Sequence, residues 1–262
     1  MLERFRDTGW ARFAVDPAVT DWAAHALTAA RRAVHDPKNA HWHQCQGTWF
    51  VGVDVLDNDA SGRIDGSSPL SGKAVDFITA DLGGWPALHN AQVSVTYPGY
   101  PRPRVGESDA AFRYRQNRDA AHVDGLRAIG PERHRKMVEP HSFILGLPLT
   151  PAEPDAAPLV VWEGSHIIMR DAFRAAYAGH DPHSLQDVDV TEPYLNARRL
   201  VFERCRRVRL SAVPGEALVL HRMALHGVAP WAAGAKAGAD GRMIAYFRPE
   251  MPGGVASWLM RS

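Results

Sequence analysis

A histidine and an aspartate two residues apart, His122 and Asp124, are the most distinctive local feature of the sequence, and together they could hold a metal ion. In an extended chain alternate side chains point to the same side, so an imidazole and a carboxylate at this spacing can reach one ion. The pair alone has low specificity, because 13 histidines and 29 acidic residues make a chance occurrence common. A metal site would need a third ligand from another part of the chain.

Two further histidines, His221 and His226, lie about a hundred residues later and are the candidates for that ligand. They follow a Pro-Gly turn at residues 214–215 and an apolar run that is typical of a buried strand. After a loop rich in alanine and glycine, residues 232–241, a second apolar strand opens with Arg242 and is followed by Arg248.

Together with residues 159–166, these segments resemble the phytanoyl-CoA dioxygenase-like family of Fe(II)- and 2-oxoglutarate-dependent oxygenases. That family has a His-x-Asp motif, an apolar strand ending in Gly-Ser/Thr-His, a His-x4-His-Gly segment and an arginine that opens a late strand. The matching segments lie in the same order between about residues 90 and 250: His122-Val-Asp124, Leu159-Val-Val-Trp-Glu-Gly164-Ser-His166, His221-Arg-Met-Ala-Leu-His226-Gly227 and Arg242.

The resemblance implies that His122, Asp124 and His226 bind one Fe(II) ion. Two neutral imidazoles and one carboxylate on one side of the ion leave open positions for 2-oxoglutarate and dioxygen. His226 is preferred over His221 because the family places the ligand at the second histidine, directly before glycine. His166 is expected to stabilise the fold, since the triad is already complete without it.

The resemblance also implies how 2-oxoglutarate is held. Arg242 would bind its distal carboxylate through the planar guanidinium, and Arg248, on the same predicted strand face, is the alternative anchor. Gln92 lies on the polar face of an alternating segment, residues 92–97, and could donate a hydrogen bond to the oxo-acid. Val228 stands two residues after the distal histidine, where relatives commonly have a small hydroxyl residue, so a relative's detailed oxo-acid contacts should not be transferred.

The implied reaction is hydroxylation of a small molecule with consumption of O2 and release of succinate and CO2. Asp124 disfavours the halogenating relatives, which leave the carboxylate position empty for chloride. Two alternatives remain open at this point. The chain could be a non-catalytic jelly-roll protein that binds a small molecule, or a cupin-like metalloenzyme that does not use 2-oxoglutarate and leaves Arg242 without a role.

The elements that must position these residues are predicted to be mainly β-strands with flanking helices. Many short strands without a βαβ rhythm favour a double-stranded β-helix, the jelly-roll or cupin-like core, over a doubly wound sheet. We expect one domain over residues 1–262, with an N-terminal helical part at about 1–85 and the jelly-roll core at about 90–250. Helices are predicted near residues 20–34, 73–81, 168–177 and 194–202, and strands near 48–55, 92–97, 142–149, 159–162, 208–213, 216–221 and 243–248.

Composition restricts the class of protein. The 262 residues are 45% hydrophobic and 23% charged, as in a soluble globular chain, and the longest nearly apolar run has seven residues, which predicts no membrane span. Two cysteines and an N-terminus without an apolar signal segment predict a cytoplasmic protein. The short cluster His41-Trp-His43-Gln-Cys45 lacks a distant fourth ligand, so a closed zinc site is not expected there.

The distribution of charge gives one further expectation, about the substrate. A net charge of +1 argues against nucleic-acid binding, but 26 of the 30 basic residues are arginine. Residues 196–209 contain six arginines against one glutamate, and residues 127–136 contain three arginines and a lysine against one glutamate. If these segments line the pocket mouth, the substrate is anionic. The alternative is an arginine-rich surface paired with some of the 29 acidic residues.

Overall fold

The computed structural model describes residues 1–261. In this part of the chain the helices are α1 Leu2–Thr8, α2 Pro17–His35, α3 Lys73–Asp81, α4 Asp109–Asn117, α5 Ser165–Tyr177, α6 Thr191–Arg204 and α7 Gly254–Met260. The strands are β1 Trp10–Phe13, β2 His43–Gln44, β3 Trp49–Leu56, β4 Ala91–Thr96, β5 Leu126–Ile129, β6 His134–Met137, β7 Phe143–Pro148, β8 Leu159–Trp162, β9 Arg207–Leu210, β10 Ala217–His221, β11 His226–Val228 and β12 Arg242–Phe247. Short 3₁₀ helices lie at Pro37–Trp42 and Leu185–Asp187.

The strands form two main sheets whose pairings are all antiparallel. The larger sheet has the order β1-β10-β7-β12-β4-β3-β2, and the smaller has the order β11-β8-β9. Apolar side chains of both sheets meet between them, among them Ile144 and Leu220 from the larger sheet and Leu159 and Val161 from the smaller. The predicted fold class, a double-stranded β-helix with flanking helices, is therefore confirmed.

Helices α2 and α3 cover the outer face of the larger sheet. Asp16 caps α2 by accepting a hydrogen bond from the Ala18 N–H, and Pro17 occupies the first turn, where a missing N–H is harmless. Along α2 the buried residues recur at helical spacing, and Trp22 packs on Phe247 of β12 with ring centroids 5.7 Å apart. The opposite face of β12 is thereby left to point into the space between the sheets.

Helices α5, α6 and α7 form a second layer against the smaller sheet. Their buried residues, including Phe173, Tyr194 and Trp258, pack with Val160 and Trp162 of β8. The predicted helices at 168–177 and 194–202 are confirmed, and each begins about one turn earlier than predicted. No helix of residues 1–261 has both the length and the apolarity needed to cross a bilayer.

The N-terminal part supplies three strands of the larger sheet in addition to its helices. Strand β3 confirms the strand predicted near residues 48–55, whereas β1 and β2 were not predicted, and the three strands extend the sheet at both of its edges. Strand β1 has only four residues and pairs with β10, with Trp10 opposite Leu220. A strand this short has too little alternation to be recognised in the sequence, and pairing with β10 stabilises it.

The hairpin formed by β5 and β6 was also not predicted, because its strands are rich in charged residues. Contacts to distant residues hold it in place. The Arg135 N–H donates to Thr191 Oγ1 at 2.6 Å, and the Arg135 carbonyl accepts from the Val190 N–H at 2.9 Å. The hairpin is thus attached to the beginning of α6.

Candidate active site

His122 and His226 are direct partners in an antiparallel bridge that joins the segment before the hairpin to β11. Each donates its backbone N–H to the carbonyl of the other, at 2.9 and 3.0 Å. Directly opposed residues project to the same side of a sheet, and the two imidazole centroids lie 4.6 Å apart. Strand pairing therefore brings together two histidines that are 104 positions apart in the sequence.

The two imidazoles have the same local hydrogen bond, which orients them. Nδ1 of His122 lies 2.9 Å from the Ala120 carbonyl, and Nδ1 of His226 lies 2.9 Å from the Ala224 carbonyl. A proton on Nδ1 satisfies each carbonyl and leaves the Nε2 lone pair free for a metal. The Nε2 atoms lie 3.0 and 3.6 Å from Asp124 Oδ1.

These three residues form a group whose ligand atoms all lie within 4.8 Å of one another. Burial favours a neutral Asp124, but the charge of His226 and the hydrogen bonds that both imidazoles donate when Nε2 also carries a proton outweigh it and hold the pKa of this carboxyl well below its usual value. Asp124 is therefore a carboxylate at neutral pH. The structure thus brings together the three predicted ligands, and in residues 1–261 no other group of His, Cys, Asp or Glu has this arrangement.

Glycines beside two of the ligands allow the backbone to approach closely. A Cβ at Gly227 would lie 2.0 Å from the Asp119 carbonyl oxygen, and one at Gly125 would lie 1.9 Å from the Glu139 carbonyl oxygen. Gly125 also has φ +82°, which side chains disfavour. The glycine after His226 and the glycine after Asp124 are thus required by packing.

Arg248 and Gln92 continue the site beyond Asp124. The Arg248 guanidinium lies with Nη1 3.5 Å from Asp124 Oδ2 and donates from Nη2 to Gln92 Oε1 at 2.7 Å. The oxygen of Asp124 that does not face the histidines is therefore beside a cation. Gln92 faces the site, as predicted from the alternation of its strand, and its amide oxygen accepts the hydrogen bond from Arg248.

A cavity of about 340 Å³ lies beside the triad, between the two sheets and the β5–β6 hairpin. Its wall is largely apolar, with contributions from Trp49, Val51, Val53, Val123, Leu126, Ile144, Leu159, Tyr194, Leu220, Val228 and Tyr246. The metal-binding group is thus at one side of a space suited to a small molecule with apolar surface.

Arg242 lies at the opposite end of β12 from Arg248 and does not line this cavity. It is buried, with 7% of its surface exposed, and pairs in register with Thr96 of β4. Alternation places both on the sheet face that carries Gln92, Ser94 and Tyr246, which do line the cavity. Within residues 1–261 the Arg242 guanidinium makes no ion pair or hydrogen bond, and the buried Thr96 Oγ1 has no partner.

Thr96 was not singled out as a site residue, although the alternating segment 92–97 placed it on the same face as Gln92. The buried Thr96 hydroxyl has no hydrogen-bond partner, and leaving such a group unsatisfied is costly unless a ligand binds there. Strand register and burial distinguish Thr96 from other hydroxyl residues, and neither can be read from the sequence.

His221 is placed away from the triad, in a second pair of histidines. It ends β10 in the larger sheet, whereas His226 begins β11 in the smaller one, so the turn between them separates their side chains. His221 Nδ1 accepts from the Met223 N–H at 3.1 Å, and its ring lies 4.7 Å from that of His166. His166 Nε2 is 2.8 Å from the Arg6 carbonyl. Burial lowers the pKa of both rings.

The two basic segments occupy different environments. In residues 196–209, Arg207 pairs with Asp119 at 2.6 Å and Arg209 pairs with Asp155 at 2.7 Å, and no arginine of this segment lines the cavity. In residues 127–136, Arg127 and Arg135 do line it. The cluster at residues 41–45 forms no metal-binding group in the described chain.

Of three comparisons with known proteins, the one with solved structures supports this architecture. No protein-family model matches the sequence, and no curated protein matches it. The fold is similar to that of SnoK from nogalamycin biosynthesis, a non-heme alpha-ketoglutarate-dependent carbocyclase, with TM-score 0.52 and 10% identity over 97% of this chain and 86% of that chain. At this identity the similarity supports the fold alone.

Two further structures are similar at lower TM-scores. EctD from S. alaskensis, crystallised with 2-oxoglutarate and 5-hydroxyectoine, has TM-score 0.43 and 17% identity over 99% of this chain and 82% of that chain. EvdMO1 has TM-score 0.48 and 17% identity over 94% of this chain and 49% of that chain. This chain thus spans about half the length of EvdMO1.

Proposed function

We propose that this protein is an Fe(II)- and 2-oxoglutarate-dependent dioxygenase of the phytanoyl-CoA dioxygenase-like family. It hydroxylates a small molecule that carries an anionic group, uses O2 and releases succinate and CO2. The observation that carries the proposal is the group formed by His122, Asp124 and His226 beside a mostly apolar cavity. The proposal also places the protein in the cytoplasm, with Cys45 and Cys205 as free thiols.

The donor set fits a ferrous ion. Two imidazoles and one carboxylate with further positions open are the ligands of non-heme Fe(II) oxygenases. In this chain the Ala120 and Ala224 carbonyls orient the two rings so that both Nε2 atoms face Asp124 Oδ1. Bound iron, together with 2-oxoglutarate, would supply the oxidising chemistry.

The inner face of β4 and β12 fits an oxo-acid. We infer that Arg242 holds the distal carboxylate, because it is a buried residue whose guanidinium has no protein partner, and that the Thr96 hydroxyl donates to the same carboxylate. Gln92 contributes by orienting Arg248, and its amide N–H group is free to donate to the oxo-acid. The apolar wall excludes water from the reacting atoms and holds the substrate close to them.

The experiment loads the protein with Fe(II) and 2-oxoglutarate without oxygen, then adds oxygen and a panel of small metabolites. We expect succinate to form together with a product that has gained one oxygen atom. Asp124→Ala should fold but form neither. Binding of metabolites without succinate would instead indicate a binding protein, and a product formed without 2-oxoglutarate would indicate a different metalloenzyme.

A further inference from the structure

We propose that Arg135, held on the aromatic ring of Tyr194, is the subsite that binds the anionic group of the substrate. This inference rests on the proposed function and assigns the anion to one place in the cavity. The substrate class that follows is a small carboxylate, or a similar oxyanion, attached to an apolar body that reaches the metal-binding group.

Five charged residues line the cavity. Three are cations and two are carboxylates: Arg127, Arg135, Arg248, Asp124 and Glu139. Arg127 forms an ion pair with Glu139, and Arg248 contacts Asp124 and Gln92. Within residues 1–261, Arg135 makes no ion pair. It is thus the cavity cation that remains available for a negative group.

The position of Arg135 is fixed on both sides of its peptide unit by hydrogen bonds to Thr191 and Val190 at the start of α6. Its guanidinium lies 5.3 Å from the ring centroid of Tyr194, which is 1% exposed and also lines the cavity. This cation–π contact with a buried ring restricts the side chain, while the guanidinium N–H groups remain free to bind a carboxylate in bidentate fashion. Arg135 is therefore preorganised to bind an anion.

The chain offers a matched control on the same ring. The Arg198 guanidinium also lies 5.3 Å from the Tyr194 centroid and is half-buried, but Arg198 does not line the cavity. Replacing either arginine by glutamine removes one positive charge beside Tyr194. Only the replacement of Arg135 removes a charge that faces the cavity.

The test uses protein that is loaded with Fe(II) and 2-oxoglutarate without oxygen, so that the metal and the oxo-acid positions are occupied. Binding of 2-oxoglutarate is measured first by calorimetry, and its absence would count against the proposed function. Benzoate, phenylacetate and 3-phenylpropionate are then titrated, each beside its neutral amide, into wild type, Arg135→Gln and Arg198→Gln.

We expect at least one carboxylate to bind wild type ten times more tightly than its amide. Arg135→Gln should reduce this preference to less than twofold, and Arg198→Gln should retain it. The assignment is overturned if no carboxylate binds better than its amide, if Arg135→Gln keeps the preference, or if Arg198→Gln loses it equally.

Discussion

Thr96 lies directly opposite Arg242 in the ladder between β4 and β12, and neither side chain has a partner within residues 1–261. The two residues lie on one face of the sheet, two residue pairs beyond the Ser94–Ile244 pair, and are the groups proposed above to bind an oxyanion. Substitutions at this pair are therefore expected to weaken the binding of 2-oxoglutarate without destabilising the fold.

Thr96→Val keeps the side-chain shape and removes only the hydroxyl. Because Thr96 Oγ1 has no protein partner, the free energy of unfolding without ligand should stay the same or rise. The dissociation constant of 2-oxoglutarate should increase about fivefold, since a net hydrogen bond contributes about 1 kcal/mol. Urea unfolding and calorimetric titration measure the two quantities.

Thr150→Val is the matched control, because Thr150 Oγ1 donates to the Gly241 carbonyl at 2.8 Å and accepts from the Met243 N–H at 2.8 Å. It should lower the free energy of unfolding by about 1–3 kcal/mol by leaving buried backbone groups unsatisfied. Equal destabilisation of both variants, with unchanged binding of 2-oxoglutarate by Thr96→Val, would contradict the oxyanion site.

Arg242→Lys keeps the positive charge and loses the guanidinium fork. The apparent Michaelis constant for 2-oxoglutarate, measured by succinate release, should rise about tenfold or more. Arg248→Lys should change it less, because Arg248 is engaged by Asp124 and Gln92. The opposite order of effects would transfer the anchor to Arg248.

His226→Ala should lower the affinity for Fe(II) at least a hundredfold, because it removes one of three ligands. His221→Asn should retain metal binding, since His221 lies outside the triad and asparagine can still accept from the Met223 N–H. Anaerobic equilibrium dialysis with Fe(II) gives both affinities. Loss of iron from His221→Asn, with retention by His226→Ala, would reverse the assignment of the two histidines.

Acid should destabilise the protein through its buried neutral histidines. Burial lowers the pKa of His141 to about 4, so this ring is neutral when folded and takes up a proton when unfolded below about pH 6.5. The unfolded state then binds more protons, and stability falls as the pH is lowered. For His141 the loss between pH 7 and pH 5 is about 2 kcal/mol.

Urea unfolding at pH 7 and pH 5 measures this loss. His141→Gln cannot titrate and should show a smaller difference between the two pH values than wild type does. His180→Gln, at an exposed position, is the control and should keep the wild-type difference. An unchanged difference in His141→Gln would show that His141 does not contribute.

Local patterns in the sequence were enough to indicate the fold class and the residue types of the site. Alternation predicted β4 and the polar face that carries Gln92, helical spacing predicted α2, and the His-x-Asp pair predicted two ligands on one side of an extended segment. Each of these features depends on residues that are close together in the chain. The order of the motifs along the chain, through the family resemblance, connected them to one site.

Tertiary structure decided which distant residues meet. His226 faces His122 because β11 bridges the segment before the hairpin, while His221, only five residues earlier, belongs to the other sheet. Arg135 faces the cavity, but the six arginines of residues 196–209 do not line it. Local sequence sets the alternation of side chains. Strand pairing, register and burial arise from packing between segments far apart in the chain, so only the folded protein determines which charges remain unpaired.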